Sequence, residues 1–106
     1  PNKHEFDEMI EEELPTNTDE QVVLVQKYAT TWGLVVLLKG ATDIIAAPQK
    51  PVVLNTTGNA GLTVGGTGDV LAGVVASFVA QHAQLTQAAQ ASTYCVGAAG
   101  DALAKV

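Results

Sequence analysis

Apolar positions along this chain recur first at helical and then at strand spacing. From Glu5 to Leu14, Phe6, Met9, Ile10 and Leu14 fall on one face of a short acidic helix, which Pro15 is expected to end. Thr18-Asp19-Glu20-Gln21 has the form of a capping box, with Thr18 at the N-cap. The helix after it is predicted to run to about Trp32, to bury Val22, Val23, Val25, Tyr28 and Ala29, and to close at Gly33. The pattern then changes. Leu34 to Leu38 is an unbroken apolar run, the pattern of a strand buried on both faces of a parallel sheet. Gly40 to Asp43 is turn-like, Ile44 to Ala47 reads as a second strand, Pro48 to Pro51 turns again, and Val52 to Leu54 reads as a third.

After the third strand come five glycines in the eleven positions from Gly58 to Gly68, then an apolar helix from roughly Gly68 to His82. Val74, Val75 and Phe78 are expected on its buried side. Thr86 is expected to cap a last helix, Gln87 to Ala104, in which Ala98, Ala99 and Gly100 suggest close packing. Alternating helices and buried strands predict the α/β class.

Composition sharpens this reading. The chain has 106 residues, 47% hydrophobic and 15% charged, which suits a packed core and one domain or part of one. Its net charge of −6, with acidic residues crowded near the start, makes a poor nucleic-acid binder. Cys95 is the single cysteine, so no intrachain disulfide forms, in keeping with a cytoplasmic location. No apolar run reaches membrane-spanning length, and no membrane partner is expected. His4, His82 and Cys95 lack metal-ligand spacing, so no protein-held metal is expected.

The candidate chemistry lies in the glycine loop. Gly65, Gly66, Thr67 and Gly68 feed a helix N-terminus, where open N–H groups and the macrodipole favour a phosphate. Asp69 brings a carboxylate to the same first turn. Phosphoryl transfer to a hydroxyl requires such a pairing of anion cradle and base. The loop is neither a Walker A sequence nor a dinucleotide fingerprint, since Leu71 stands where the last glycine would be. Lys39-Gly40 closes the first strand, where open α/β sheets place ligands, although a lysine there, taken alone, is more often an ordinary surface residue. Asn2 and Glu5, on the residues alone, read as a plain helix cap with a dipole-matched acid.

Taken together, these segments resemble a known family. The run Asn55 to Gly73, containing Gly58-Asn59-Ala60-Gly61 and Gly65-Gly66-Thr67-Gly68-Asp69, is similar to the signature of the NAD(P)H-hydrate dehydratases of the ribokinase-like superfamily. Ala60 and Leu62 stand where that signature usually has proline and methionine. Lys39-Gly40-Ala41-Thr42-Asp43 resembles the family's nucleotide-contacting turn, and Pro1-Asn2-Lys3-His4-Glu5-Phe6 its substrate-contacting segment.

The resemblance implies a ribokinase-like α/β fold: part of a three-layer α/β/α domain with a mainly parallel sheet. It also implies repair of NADHX and NADPHX, in which the S epimer of the hydrated cofactor is dehydrated at the expense of ADP or ATP, with Mg2+. Asp69 would be the base. Lys39, Gly40, Ala41, Thr42 and Asp43, with Gly65, Gly66, Thr67 and Gly68, would hold the nucleotide and its phosphates. Asn2, His4, Glu5, Asn59 and Asp69 would contact the hydrate. The family's domain is much longer than this chain, so residues 1–106 correspond to its C-terminal half, and self-association into a homo-oligomer is expected. Two alternatives stay open: a ribokinase-like kinase for a sugar or vitamin precursor, and a catalytically silent fragment.

Overall fold

A computed structural model describes residues 1–106. The chain forms two compact units, Pro1–Leu54 and Asn55–Val106.

The first unit opens with α1 (Lys3–Ile10), whose N-cap is Asn2. The Asn2 side chain accepts the Glu5 N–H at 2.8 Å, and the Glu5 carboxylate accepts the Asn2 N–H at 2.9 Å, a complete capping box. The helix stops at Ile10, earlier than Pro15 suggests, because Glu11 takes the left-handed conformation at φ 56°. The chain then folds back, and the Leu14 N–H donates to Asp7 at 2.9 Å, so Leu14 is buried outside the helix.

Helix α2 (Thr18–Trp32) is capped by Asn17 and not by Thr18. The Asn17 side chain accepts the N–H groups of Asp19 and Glu20, and asparagine is at least as good an N-cap as threonine. Gly33, at φ 65°, closes the helix in the left-handed conformation, as expected. Val25 and Ala29 are buried, whereas Val22 and Tyr28 are half-buried. Val23 is 70% exposed, because one helical step turns it away from the face shared by Val22, Val25 and Ala29. Gln21 is buried in its place, with its amide donating to the Pro15 carbonyl at 2.6 Å.

Strands β1 (Val36–Leu38), β2 (Asp43–Ala46) and β3 (Val53–Asn55) form a three-stranded sheet in that order. The expected strand at Leu34 to Leu38 is therefore shorter, and Leu34 is 55% exposed. β1 and β2 pair antiparallel, with Val36 opposite Ala46 and Leu38 opposite Ile44. The link 39–42 is a turn, too short for the crossover that a parallel pair needs. A parallel bridge does occur, between Asn2 and Lys39. The strand buried at every position is β2 rather than β1. Phe6, Ile10, Val25, Ala29, Val36, Leu38 and Ile44 make the core, and Phe6 meets Tyr28 and Trp32 edge-on at 6.1 Å.

The second unit consists of a 3-10 turn (Ala60–Leu62), α3 (Thr67–Ala80) and α4 (Leu85–Ala104), with the two long helices packed together. In α3 Leu71 is buried, and Val74, Val75 and Phe78 are half-buried on the expected side. Helix α4 starts at Leu85 after Gln84, so Thr86 is a helical residue and not the cap. Gly97 and Gly100 give α4 a bare strip against Thr57 and Leu62 of the segment before α3.

Gly73 is a glycine inside α3 with open space where a Cβ would go. Gly73→Ala is expected to stabilise the protein by about 0.5–1 kcal/mol by lowering the entropy of the unfolded chain. An unchanged or lower urea midpoint would contradict this.

Candidate functional site

The head of α1 and the end of β1 come together in the first unit. The Lys39 N–H donates to the Pro1 carbonyl at 2.8 Å, which fixes Asn2 beside Lys39. Asp43 is buried and binds back across the turn: its Oδ1 accepts the Lys39 ammonium at 2.7 Å and the Gly40 N–H at 3.1 Å. A Cβ on Gly40 would lie 3.0 Å from the Lys3 side chain, so glycine lets that lysine lie across the turn. Asp43 therefore shapes the turn, while Lys39, Gly40, Ala41 and Thr42 form its outer surface. Asn2 and Glu5 are engaged in the capping box. His4 faces solvent with Glu8 at 3.4 Å, so its imidazole belongs to the exposed flank of α1.

The glycine loop and Asp69 belong to the second unit. Gly66 is the N-cap of α3 at φ 94°, a conformation that disfavours side chains, and no side chain caps this helix. The Val70 N–H returns to the Gly66 carbonyl at 3.1 Å and the Thr67 N–H to Val64 at 3.4 Å. The N–H groups of Gly68 and Asp69 have no acceptor in the chain. Nothing lies within 4 Å of where Cβ atoms on Gly65, Gly66 and Gly68 would be, so an incoming group can reach this backbone. The Thr67 hydroxyl lies 2.7 Å from the Leu62 carbonyl and 2.9 Å from that of Val64, and so ties the helix start to the loop before it. Asp69 is exposed in the first turn. An open donor set beside a solvent-facing carboxylate can take a phosphate and a proton at neighbouring points.

Asn59 faces inward. Its Oδ1 accepts the Gly61 N–H at 2.9 Å, and its Nδ2 donates to Asp101 Oδ1 at 3.0 Å. Asp101 Oδ2 also accepts the Gly58 N–H, at 2.9 Å. Sequence reasoning overlooked Asp101, because it lies in a helical alanine-rich stretch with no motif around it. The Gly58 N–H, with the Asn59 amide and Lys105 adding to it, holds the Asp101 carboxyl below the usual carboxylate range, against a desolvation effect of opposite sign. A depressed folded-state pKa contributes stability above the unfolded value and loses it as pH falls through the folded one. The Asp101 bonds therefore persist at neutral pH and weaken only in acid.

No group of three His, Cys, Asp or Glu side chains converges to hold a metal ion. No helix is long and apolar enough to cross a membrane.

The carbohydrate-kinase family model described as NAD(P)H-hydrate dehydratase matches residues 1–106. The chain is 39% identical over 100 residues to the bifunctional NAD(P)H-hydrate repair enzyme Nnr of Methanopyrus kandleri, covering 94% of this chain and 20% of that protein. It is 36% identical over 102 residues to the ADP-dependent (S)-NAD(P)H-hydrate dehydratase of Cenarchaeum symbiosum, covering 96% of this chain and 35% of that one. Among solved structures, it superposes at a TM-score of 0.90 and 28% identity on the ADP/ATP-dependent NAD(P)H-hydrate dehydratase of Bacillus subtilis, co-crystallised with ATP and Mg2+ and soaked with CoA. That match covers 99% of this chain and 39% of the Bacillus one. The chain thus spans well under half the length of these relatives.

Proposed function

The chain belongs to the NAD(P)H-hydrate dehydratase family, and on that premise we propose that it carries the phosphoryl-transfer half of a nucleotide-dependent repair of NADHX and NADPHX. The observation that carries this reading is the start of α3, where the free N–H groups of Gly68 and Asp69 stand beside the Asp69 carboxylate. The ligands are the S epimer of the hydrated cofactor and ADP or ATP, met in the cytoplasm.

The chemistry follows from the leaving group. Hydroxide leaves carbon poorly and phosphate leaves well. Asp69 takes the proton of the hydrate's hydroxyl as that oxygen attacks the terminal phosphorus, and the phosphorus–oxygen bond to the nucleotide breaks. The carbon–oxygen bond then breaks with phosphate departing, a proton leaves the neighbouring carbon, and the double bond of NADH or NADPH returns. The N–H groups of Gly68 and Asp69 stabilise the charge that develops on the transferring group. In the first unit, Asp43 holds the 39–42 turn in shape and leaves Lys39 at its outer surface as a candidate contact for the nucleotide. Mg2+ would arrive on the nucleotide's phosphates and neutralise their charge, since these residues supply no ligand cluster of their own.

The test is recovery of reduced-nicotinamide absorbance when the natural polypeptide is given S-NADHX with ADP or ATP. Absorbance should return only with nucleotide present. A protein that instead phosphorylates a sugar or vitamin alcohol and leaves the hydrate untouched would replace this reading with the kinase one.

A further inference from the structure

The loop that leads to α3 is held at its far end by a residue outside every recognised motif. Asp101 lies near the end of α4, and both of its carboxylate oxygens are used: Oδ2 by the Gly58 N–H at 2.9 Å and Oδ1 by the Asn59 amide at 3.0 Å. Gly58 is at φ 109°, so the loop bends at the point where Asp101 grips it. The grip continues along the loop. Asn59 accepts the Gly61 N–H, Leu62 packs against the bare backbone of Gly100, and the Thr67 hydroxyl bonds the Leu62 carbonyl. Thr67 is the first residue of α3, two positions before Asp69.

We propose that Asp101 is a positioning residue for the α3 site: by holding Gly58 and Asn59 on α4 it fixes the loop whose other end sets the first turn and the Asp69 carboxylate. This inference rests on the dehydratase reading for its consequence in turnover, but its geometric content stands apart from that reaction. A carboxylate suits the role because it offers two acceptors to two donors and no donor of its own. Asp101→Asn keeps the shape but turns an N–H toward one of those donors, which breaks one of the two bonds. Asp101→Glu keeps both acceptors on a longer arm.

The experiment uses the natural polypeptide, with NMR of the amide resonances alongside steady-state kinetics. In Asp101→Asn, exchange of the Gly58 amide should accelerate, and the Gly68 and Asp69 amide resonances should shift although the substitution lies far along the chain. Turnover of the hydrate should fall about 10- to 100-fold, the scale of a small misplacement of reacting groups, with the nucleotide KM little changed. Asp101→Glu should recover part of the turnover. Faster Gly58 exchange with unmoved Gly68 and Asp69 resonances would overturn the proposal, because the clamp would then be purely local. Unchanged turnover in a folded Asp101→Asn protein would overturn it equally. If Asp101→Asn does not fold, the same two readouts on Asp101→Glu decide. A wild type that returns no NADH would sink the dehydratase reading alone and leave the resonance shifts to judge Asp101.

Discussion

Asp69→Asn is expected to lower NADHX turnover by roughly 10²–10⁴-fold while nucleotide affinity holds, because general-base assistance is worth about that much. Three observations support the size of the effect. The residue stands in the first turn of α3, its side chain is exposed, and the free N–H groups of Gly68 and Asp69 are backbone groups that the substitution retains. Asparagine has nearly the same shape and cannot take the proton. Nucleotide binding by calorimetry, set beside recovery of NADH absorbance, separates the two contributions. Full turnover in the variant would end the assignment of Asp69 as base, whichever hydroxyl is the true acceptor. Loss of nucleotide binding in step with turnover would mean that the substitution disturbs the cradle itself.

Gly97→Ala carries the largest expected effect on folding. A Cβ at this position would lie 2.6 Å from the Thr57 carbonyl carbon and 2.7 Å from its oxygen, and would also strike the Thr57 hydroxyl. Two of those three atoms are backbone, so rotating a side chain does not relieve the clash. The Thr57 hydroxyl also lies within bonding distance of the Tyr94 carbonyl at 3.2 Å and Asn55 at 3.0 Å, so the loop has little room to retreat. Overpacking of this kind costs about 1–3 kcal/mol or more. The urea midpoint should fall by the corresponding amount without a change in m-value. Gly100→Ala is the internal comparison. Its Cβ would lie 2.8 Å from atoms of the Leu62 side chain, which can turn, so its cost should be smaller. Equal midpoints for wild type and Gly97→Ala would contradict the packing of the loop on α4.

The features legible in the order of residues were local in origin. Glycine at the end of α2 marked a left-handed stop, because position 33 needs a positive φ. The glycine loop ahead of Asp69 announced an uncapped helix start, because α3 has no polar side chain at its N-cap to occupy the first-turn donors. The order of strands and helices, and with it the α/β class, came from periodicity alone. Its limits were local as well. Asn17 and Thr18 are adjacent cap formers: the capping-box spacing from Thr18 to Gln21 pointed to threonine, whereas the stronger cap, asparagine, took the position.

Features that depend on contacts between distant residues emerged only in the folded chain. Leu34 to Leu38 is apolar throughout, yet burial at every position went to β2, because the middle of a three-stranded sheet is covered by neighbours that no window of sequence contains. The 39–42 turn made β1 and β2 antiparallel, since a chain that short reverses direction and does not cross over. That Asp43 is buried and braces the turn through Lys39 and Gly40 is likewise visible only in the folded chain. Asp101 had no signal in the sequence, because its partners Gly58 and Asn59 lie 43 and 42 positions away and only the packing of the loop on α4 brings them to it.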